Sequence, residues 1–455
     1  MKAAKQYKIS ILLLGACLLE IRPALALTLA EAVQYAMEHN RDVLSVKEEI
    51  RERRGQVLEA RSDAFPKIDL MATGYRLRDP GFLNSTFGQE LLRGGGAGSD
   101  FPIPIEAILP KPQTYYETTL NFSQPLFSWG KVSNALKVAN LGMREVDLGL
   151  ETTRQQVAYD VTGAFYDVLL AEETIDMYRK AIETQERYLQ QTKDFFEVGD
   201  ATRLDILRAE SRLASTKPDL LEAENTLTQA GKQLNFLLGR SLTEPVNAVG
   251  VETQQEFTPP PLDSVVEVAV RNRPDLRRLE VQESMYDKTV NVFKADYRPR
   301  ADLNGHYGYS TIRTGDLLDR NFESWRVAVQ FSVPVFDGLK NRGVVMQYRS
   351  LQTRKQIEKN KLAEQIGLQS RQAIDACASA VEVYQARQLS LESAEEEERV
   401  TGDQHEQGLI TLFELLEANR RALEARVDYL RSRYDLLRRI ANLKLVMGLP
   451  VEELF

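Results

Sequence analysis

Trp325-Arg326-Val327-Ala328-Val329-Gln330-Phe331-Ser332-Val333 is the stretch on which the fold turns, because every second residue is large and apolar and those between are small or polar. Alternation with a period of two places one set on each face of a β-strand. The pattern recurs where Ala301, Leu303, Gly305, Tyr307 and Tyr309 alternate with Asp302, Asn304, His306, Gly308 and Ser310. It recurs again where Tyr116, Thr118, Leu120 and Phe122 alternate with Glu117, Thr119, Asn121 and Ser123, and a weaker strand is predicted from about Ile68 to Leu77. Runs of roughly ten residues, rich in Tyr, Phe and Trp, match a tilted strand that crosses a bilayer. A soluble sandwich would show the same two faces, but the rest of the chain offers no strands for a second sheet.

That remainder reads as helix. From Trp129 to Glu197 there is no proline, and Val161, Ala164, Val168, Ala171, Ile175, Tyr178, Ile182, Gln185, Leu189, Thr192 and Phe196 follow alternating steps of three and four. Such a heptad seam predicts a coiled coil, roughly 100 Å long at about 1.5 Å per residue. After Gly199 the seam resumes as Ile206, Ala209, Leu213, Thr216, Leu220, Ala223, Leu227, Ala230, Leu234 and Leu237, so the helix turns back on itself. Pro218 is expected to interrupt and kink the returning helix. A further seam, Leu415, Ala418, Ala422, Ala425, Tyr429, Ser432, Leu436 and Leu443, follows Gly408.

The chain is one unit written twice. Leu29 to Leu70 aligns with Leu262 to Leu303, pairing Ala36 with Ala269, Asp42 with Asp275 and Pro66 with Pro299. Phe122-Ser123-Gln124-Pro125-Leu126-Phe127 aligns with Phe331-Ser332-Val333-Pro334-Val335-Phe336, and the same offset carries Gly199 onto Gly408 and Gly239 onto Gly448. The first offset exceeds the second because the first copy holds extra residues between its strands, where Gly94-Gly95-Gly96, Pro102, Pro104, Pro110 and Pro112 sit. No Lys-Ser/Thr follows the glycines, so they read as a surface loop rather than a phosphate cradle. The expected organisation is a signal peptide (1–26), a first repeat (27–240), a polar linker (241–261) and a second repeat (262–455).

Lys2, Lys5 and Lys8 precede an apolar run from Ile9 to Leu19, and Ala24-Leu25-Ala26 closes it. This is the pattern of an export signal cleaved after Ala26. A competing exit, Leu14-Gly15-Ala16-Cys17, resembles a lipoprotein box that would leave Cys17 lipidated. Cleavage after Ala26 removes four basic residues (Lys2, Lys5, Lys8, Arg22) and one acidic residue (Glu20), leaving 54 basic against 65 acidic side chains, a net charge of −11. Cys377 then stands alone, without an intrachain disulfide partner.

With 455 residues, 27% of them charged, and a mean hydropathy of −0.35, a bundle of membrane-spanning helices is excluded. The acidic balance excludes general nucleic-acid binding. Four strands cannot close a barrel. An open sheet in lipid leaves two edges of unpaired N–H and C=O groups, so several copies must share one barrel. Strand arithmetic alone does not choose between two copies and three.

The opening Leu27-Thr28-Leu29-Ala30-Glu31-Ala32-Val33, His39-Asn40-Arg41-Asp42, the strand endings Gln124-Pro125-Leu126-Phe127 and Val333-Pro334-Val335-Phe336-Asp337-Gly338, and the two hairpin turns resemble, in this order, the TolC-type outer-membrane efflux protein family. The resemblance implies a mainly α fold with a small transmembrane β part. It implies a homotrimer with a twelve-stranded β-barrel in the outer membrane, continued by an α-helical tunnel through the periplasm. It also implies two partners, a periplasmic adaptor protein and an inner-membrane efflux pump or secretion ATPase, and no cofactor and no chemistry of its own. Drug efflux and type I protein secretion both remain open.

The family's adaptor-facing turn resembles Val-Gly-Leu, then Thr, then an acidic residue. Here the copies read Val198-Gly199-Asp200-Ala201-Thr202 with Asp205, and Gln407-Gly408-Leu409-Ile410-Thr411 with Glu414. The resemblance assigns adaptor docking to Val198, Gly199, Thr202, Gly408, Leu409 and Thr411. It assigns an acidic ring at the tunnel entrance to Glu414, Glu417 and Asp205, whose converging carboxylates would favour cations and raise one another's pKa. Some members latch the entrance with an arginine where Ile410 stands and a tyrosine where His405 stands. A bare helix-capping turn and a solvated helix face are the plainer readings of these residues. An enzyme finds no support, since His39, His306, His405 and Cys377 form no ligand or nucleophile cluster by spacing. An exported coiled-coil scaffold of the periplasm explains the heptads but leaves the aromatic strands unused.

Overall fold

The computed structural model describes residues 27–78, 85, 86, 89, 111–250 and 257–454. The export signal, the lipoprotein box, and Gly94-Gly95-Gly96, Pro102, Pro104 and Pro110 of the first-copy insertion lie outside the described residues. Each copy opens with two helices that the strand-and-hairpin reading did not anticipate. These are α1 (Leu29–His39) and α2 (Arg41–Ser62), matched by α5 (Leu262–Asn272) and α6 (Pro274–Ala295), with 11 and 22 residues in both copies. α1 and α5 bury one face at helical spacing, Ala32, Val33 and Ala36 in the first and Val265 and Ala269 in the second, but over three turns only, while α2 is weakly periodic and buries Val43 alone.

Each copy then places a strand, a second strand and a helical hairpin. The strands are β1 (Lys67–Leu77), β2 (Gln113–Phe127), β3 (Arg300–Thr311) and β4 (Glu323–Ser332). The hairpins are α3 (Lys131–Val198) with α4 (Arg203–Leu238), and α7 (Lys340–Glu406) with α8 (Leu412–Val446). Pro218 lies within α4, which runs on through it rather than being interrupted. The hydroxyls of Ser215 and Thr216 both donate to the Arg212 carbonyl, 2.8 and 3.2 Å away, in the turn before it. Among the described residues no helix is long and apolar enough to cross a membrane.

The chain divides into two compact units, and each repeat contributes to both. The first comprises the chain up to Leu44, Arg154–Asn272 and the residues from Leu368 on. Its core is the coiled-coil seam: Val161, Val168, Ile175, Ile206, Ala209, Leu234, Leu415, Ala418 and Ala422 are all buried. α8 carries a second buried stripe, Leu416, Leu423, Val427, Leu430 and Tyr434. That stripe exists because α8 packs on two partners. Tyr434 donates to Glu173 of α3 at 2.6 Å, while Arg426 bonds Glu395 and Glu398 of α7 at 3.0 and 2.7 Å. The linker lies against this unit: Asn235, fully buried, donates from Nδ2 to the Glu244 carbonyl at 2.7 Å, and Leu27 bridges to Ala248.

The second unit comprises Ser45–Thr153 and Arg273–Gly367. Its helices meet around Glu145, whose side chain is mostly buried and takes Gln282 of α6 at 2.5 Å, Arg278 at 3.5 Å and Arg53 of α2 at 4.0 Å. Its sheet is antiparallel in the order β1-β2-β3-β4. Leu70, Leu120, Tyr307 and Trp325 stand in one row across it, and Ile68, Phe122, Gly305 and Val327 in the next on the same side. The opposite face carries the row Asp69, Asn121, His306 and Arg326, and Asn304 donates to Gln330 there at 3.3 Å. One face is therefore apolar and the other polar, and Trp325 (70%), Val327 (66%) and Phe331 (76%) are exposed on the apolar side. The repeat is kept in the pairing. Leu70 opposite Leu120 becomes Leu303 opposite Val329 when the two sequence offsets are applied.

Strand gives way to helix through two successive left-handed residues in both copies, Trp129 (φ 48°) and Gly130 (φ 80°), then Gly338 (φ 69°) and Leu339 (φ 68°). Side chains hold both corners. The Arg298 guanidinium stacks 4.8 Å over the Trp129 ring, and Asp337 accepts from the Leu339 and Asn341 amides at 3.0 Å each.

Candidate functional site: the hairpin turns

The two hairpin turns belong to the first unit and are built alike. Gly199 and Gly408 take φ of 89° and 71°, which glycine adopts without the clash a Cβ brings. The residue after each glycine donates its amide back across the helix end, Asp200 to the Phe195 carbonyl at 2.8 Å and Leu409 to the Gln404 carbonyl at 2.9 Å. This is the Schellman arrangement that closes a helix C-terminus.

Each return helix starts with a capping box. Thr202 accepts from the Asp205 amide at 3.3 Å while Asp205 Oδ2 accepts from the Thr202 amide and hydroxyl at 3.0 and 2.6 Å. Thr411 and Glu414 repeat this at 3.4, 2.8 and 2.9 Å. Two orphan helix donors are thereby satisfied in each copy. The Thr-x-x-acid spacing is a sequence-legible cap that the adaptor and ring assignments passed over. Its electrostatic effect within one chain is opposite to mutual repulsion among carboxylates. The Thr411 amide, then its hydroxyl, holds the Glu414 carboxyl below the usual range, and the Thr202 hydroxyl, then its amide, does so for Asp205.

Glu417 has a different partner. Arg420 donates to it from Nε and Nη2 at 3.1 and 3.0 Å, and also reaches both oxygens of Glu424 at 2.6 and 2.7 Å. Arg421 pairs with Glu397 of α7 at 3.1 Å. Sequence reading named the acids but not these arginines, though Arg420 follows Glu417 by three and precedes Glu424 by four, which is ion-pair spacing on a helix. Glu414, Glu417, Ile410 and Phe413 line an open groove of about 600 Å³ with Arg420 and Gln404. His405 Nδ1 lies 3.4 Å from the Ile410 carbonyl oxygen, and Arg208 of α4 stacks 5.2 Å over the Phe413 ring. Val198, just before Gly199, and Leu409, just after Gly408, are 71% and 68% exposed, so each turn presents apolar surface where a partner could cover it.

No group of three or more His, Cys, Asp or Glu among the described residues has a metal-binding arrangement. Cys377 is buried with Val265, Ala373 and Leu443, and burial pushes its thiol up to about 11.

Comparison with known proteins places this architecture. A family model described as outer membrane efflux protein matches residues 32–240 and 265–449. The outer membrane protein TolC of Vibrio cholerae is 22% identical over 354 residues, which covers 76% of this chain and 79% of TolC. The alkaline protease secretion protein AprF of Pseudomonas aeruginosa is 23% identical over 338 residues, 73% of this chain and 69% of its own. The CmeC outer membrane channel of Campylobacter jejuni shares the fold, with a TM-score of 0.77 over 92% of this chain and 85% of CmeC at 18% identity. A periplasmic scaffold has no use for a sheet with one bare apolar face, whereas an outer-membrane channel does. With most of both repeats matched and the sheet-and-hairpin fold in common, the chain belongs to the outer membrane efflux protein family, a protein of the outer membrane.

Proposed function

We propose that three copies of this chain form a channel-tunnel that serves as the exit duct of a tripartite efflux pump or a type I secretion system. The observation that carries this reading is the four-stranded sheet with one apolar face and two edges, β1 and β4, that no described strand covers. In hydrocarbon each unpaired backbone group costs several kcal/mol, so the edges must be closed by neighbouring copies. Three copies give twelve strands. The relatives' names, efflux protein and protease secretion protein, support transport across the outer membrane and leave both cargo classes open.

In this reading Val198, Gly199 and Thr202 with Gly408, Leu409 and Thr411 form the surface that a periplasmic adaptor covers. The adaptor links the tunnel to an inner-membrane pump or secretion ATPase that supplies the energy, and this chain performs no catalysis. Glu414, Glu417 and Asp205 gather around the narrow entrance and favour cations. The test is gentle detergent extraction of outer membranes, followed by mass measurement of the purified particle and identification of what travels with it. A three-chain particle carrying an adaptor is the expected result. A strictly single-chain particle overturns the shared barrel, and a three-chain particle without adaptor or pump under cross-linking overturns the tripartite part.

A further inference from the structure

The internal repeat specifies how the open edges meet. β2 and β3 are the one pair formed between the two copies of the repeat, and they pair with Leu120 opposite Tyr307, Asn121 opposite His306 and Gln124 opposite Leu303. β4 is the repeat counterpart of β2, and β1 that of β3. The pairing of β4 with the β1 of another copy is then the same contact, displaced by the repeat.

We propose that β4 of one copy pairs antiparallel with β1 of a second copy in the register Val329–Gly74, Gln330–Thr73, Phe331–Ala72, Ser332–Met71 and Val333–Leu70. The proposal rests on the shared-barrel reading and names the partner surface within it. A separate observation points the same way. On its β1 side β2 is paired only as far as Ser123, opposite Lys67, and its remaining residues to Phe127 are held by β3. On its β3 side β4 likewise stops at Ser332, opposite Arg300, and the counterpart tail Val333, Pro334, Val335 and Phe336 lies outside any strand, with Val335 93% and Phe336 82% exposed. The tail that β3 holds in β2 is the tail that a second copy's β1 is placed to hold in β4. Pro334 is no obstacle, because Pro125 occupies the counterpart position in β2 opposite Asp302, beside a bulge. The register also keeps faces together. Phe331 and Ala72 fall on the apolar side, Gln330 and Thr73 on the polar side, so closure continues both surfaces without a break.

Disulfide trapping in the full-length protein tests this. Opposed residues of an antiparallel pair have Cα atoms about 5 Å apart, whereas a slip of two residues on the same face separates them by about 8 Å, beyond the reach of a disulfide. Thr73→Cys with Gln330→Cys, both on the polar side, should give reducible two-chain and three-chain species on mild oxidation. Thr73→Cys with Ala328→Cys, and Thr73→Cys with Ser332→Cys, should not. Cys377 can stay in place because it is buried and its thiol is held protonated. Should the first double variant fail to assemble, Met71→Cys with Ser332→Cys samples the same register and decides it on the same terms. Trapping through a slipped pair in a protein that is still oligomeric overturns the register and leaves the barrel. A wild-type protein that sizes as one chain before oxidation overturns both.

Discussion

At Thr202 and Asp205, and again at Thr411 and Glu414, one side-chain pair serves a fold need and lies where a functional role is proposed. The cap and the carboxylate can be separated by substitution. Thr411→Ala removes the side-chain cap and leaves the acid, so it should destabilise the start of α8 by about 1 kcal/mol without changing ion selectivity. Hydrogen exchange at the first amides of α8 and single-channel recording would show the two effects apart. The pH dependence follows from the direction of the shift. Glu414 and Asp205 have folded-state values below their ordinary ones, 4.5 and 3.8, so the stabilisation they give is present above those values and is lost as pH falls through the lowered ones. Protection of the first-turn amides should therefore persist at neutral pH and disappear only in acid. Replacing Glu414 and Glu417 together with Gln should lower the cation preference of the channel. The Arg420 guanidinium then keeps Glu424 as its partner, so the helix should stay folded. An unchanged permeability ratio between cations and anions would remove the entrance ring from the account.

At the scale of elements, the seams were legible because heptads repeat over many turns, and Val161, Val168, Ile206 and Leu415 are buried where their spacing puts them. The second stripe of α8 was equally regular, Leu423, Val427, Leu430 and Tyr434 stepping by four, three and four, but a single-seam reading treats such residues as the edge of one face. Only the presence of α3 on the far side makes them core. Leu430→Ala should accordingly cost about 2–5 kcal/mol, as for a fully enclosed leucine, and denaturant titration followed by circular dichroism measures it. A loss below about 0.5 kcal/mol would mean α8 is packed on one side alone. The corners after β2 and β4 were not legible at all. Trp129 and Leu339 take left-handed φ against their own preference, and what holds them is Arg298, distant in sequence, and Asp337, whose role depends on the turn being formed. In the hairpin turns the glycines were read as helix ends and are so, while the ion-pair commitment of Glu417 required knowing which neighbour Arg420 chooses.

At the scale of the molecule, the polar and apolar faces of the sheet set where the protein can reside, and adjacent residues of β4 report on them separately. Val327 stands in the middle of β4 on the apolar face, in one row with Ile68 and Phe122, and Ala328 follows it on the polar face, in one row with Asn304 and Ser123. An arginine on a lipid-facing strand near the bilayer midplane costs about 2–4 kcal/mol, whereas one in a water-filled lumen costs little. Val327→Arg should therefore reduce the amount of folded oligomer recovered from membranes and lower its unfolding midpoint in lipid vesicles by an amount equivalent to that energy. Ala328→Arg should assemble normally and instead alter conductance, because its charge joins the row across from Asn304 inside the channel. Equal damage from the two substitutions would mean that both faces are enclosed by protein, and with that the argument from sheet to membrane would lose its footing. A loss confined to Val327→Arg would instead tie the alternation in one ten-residue strand directly to the placement of the whole assembly.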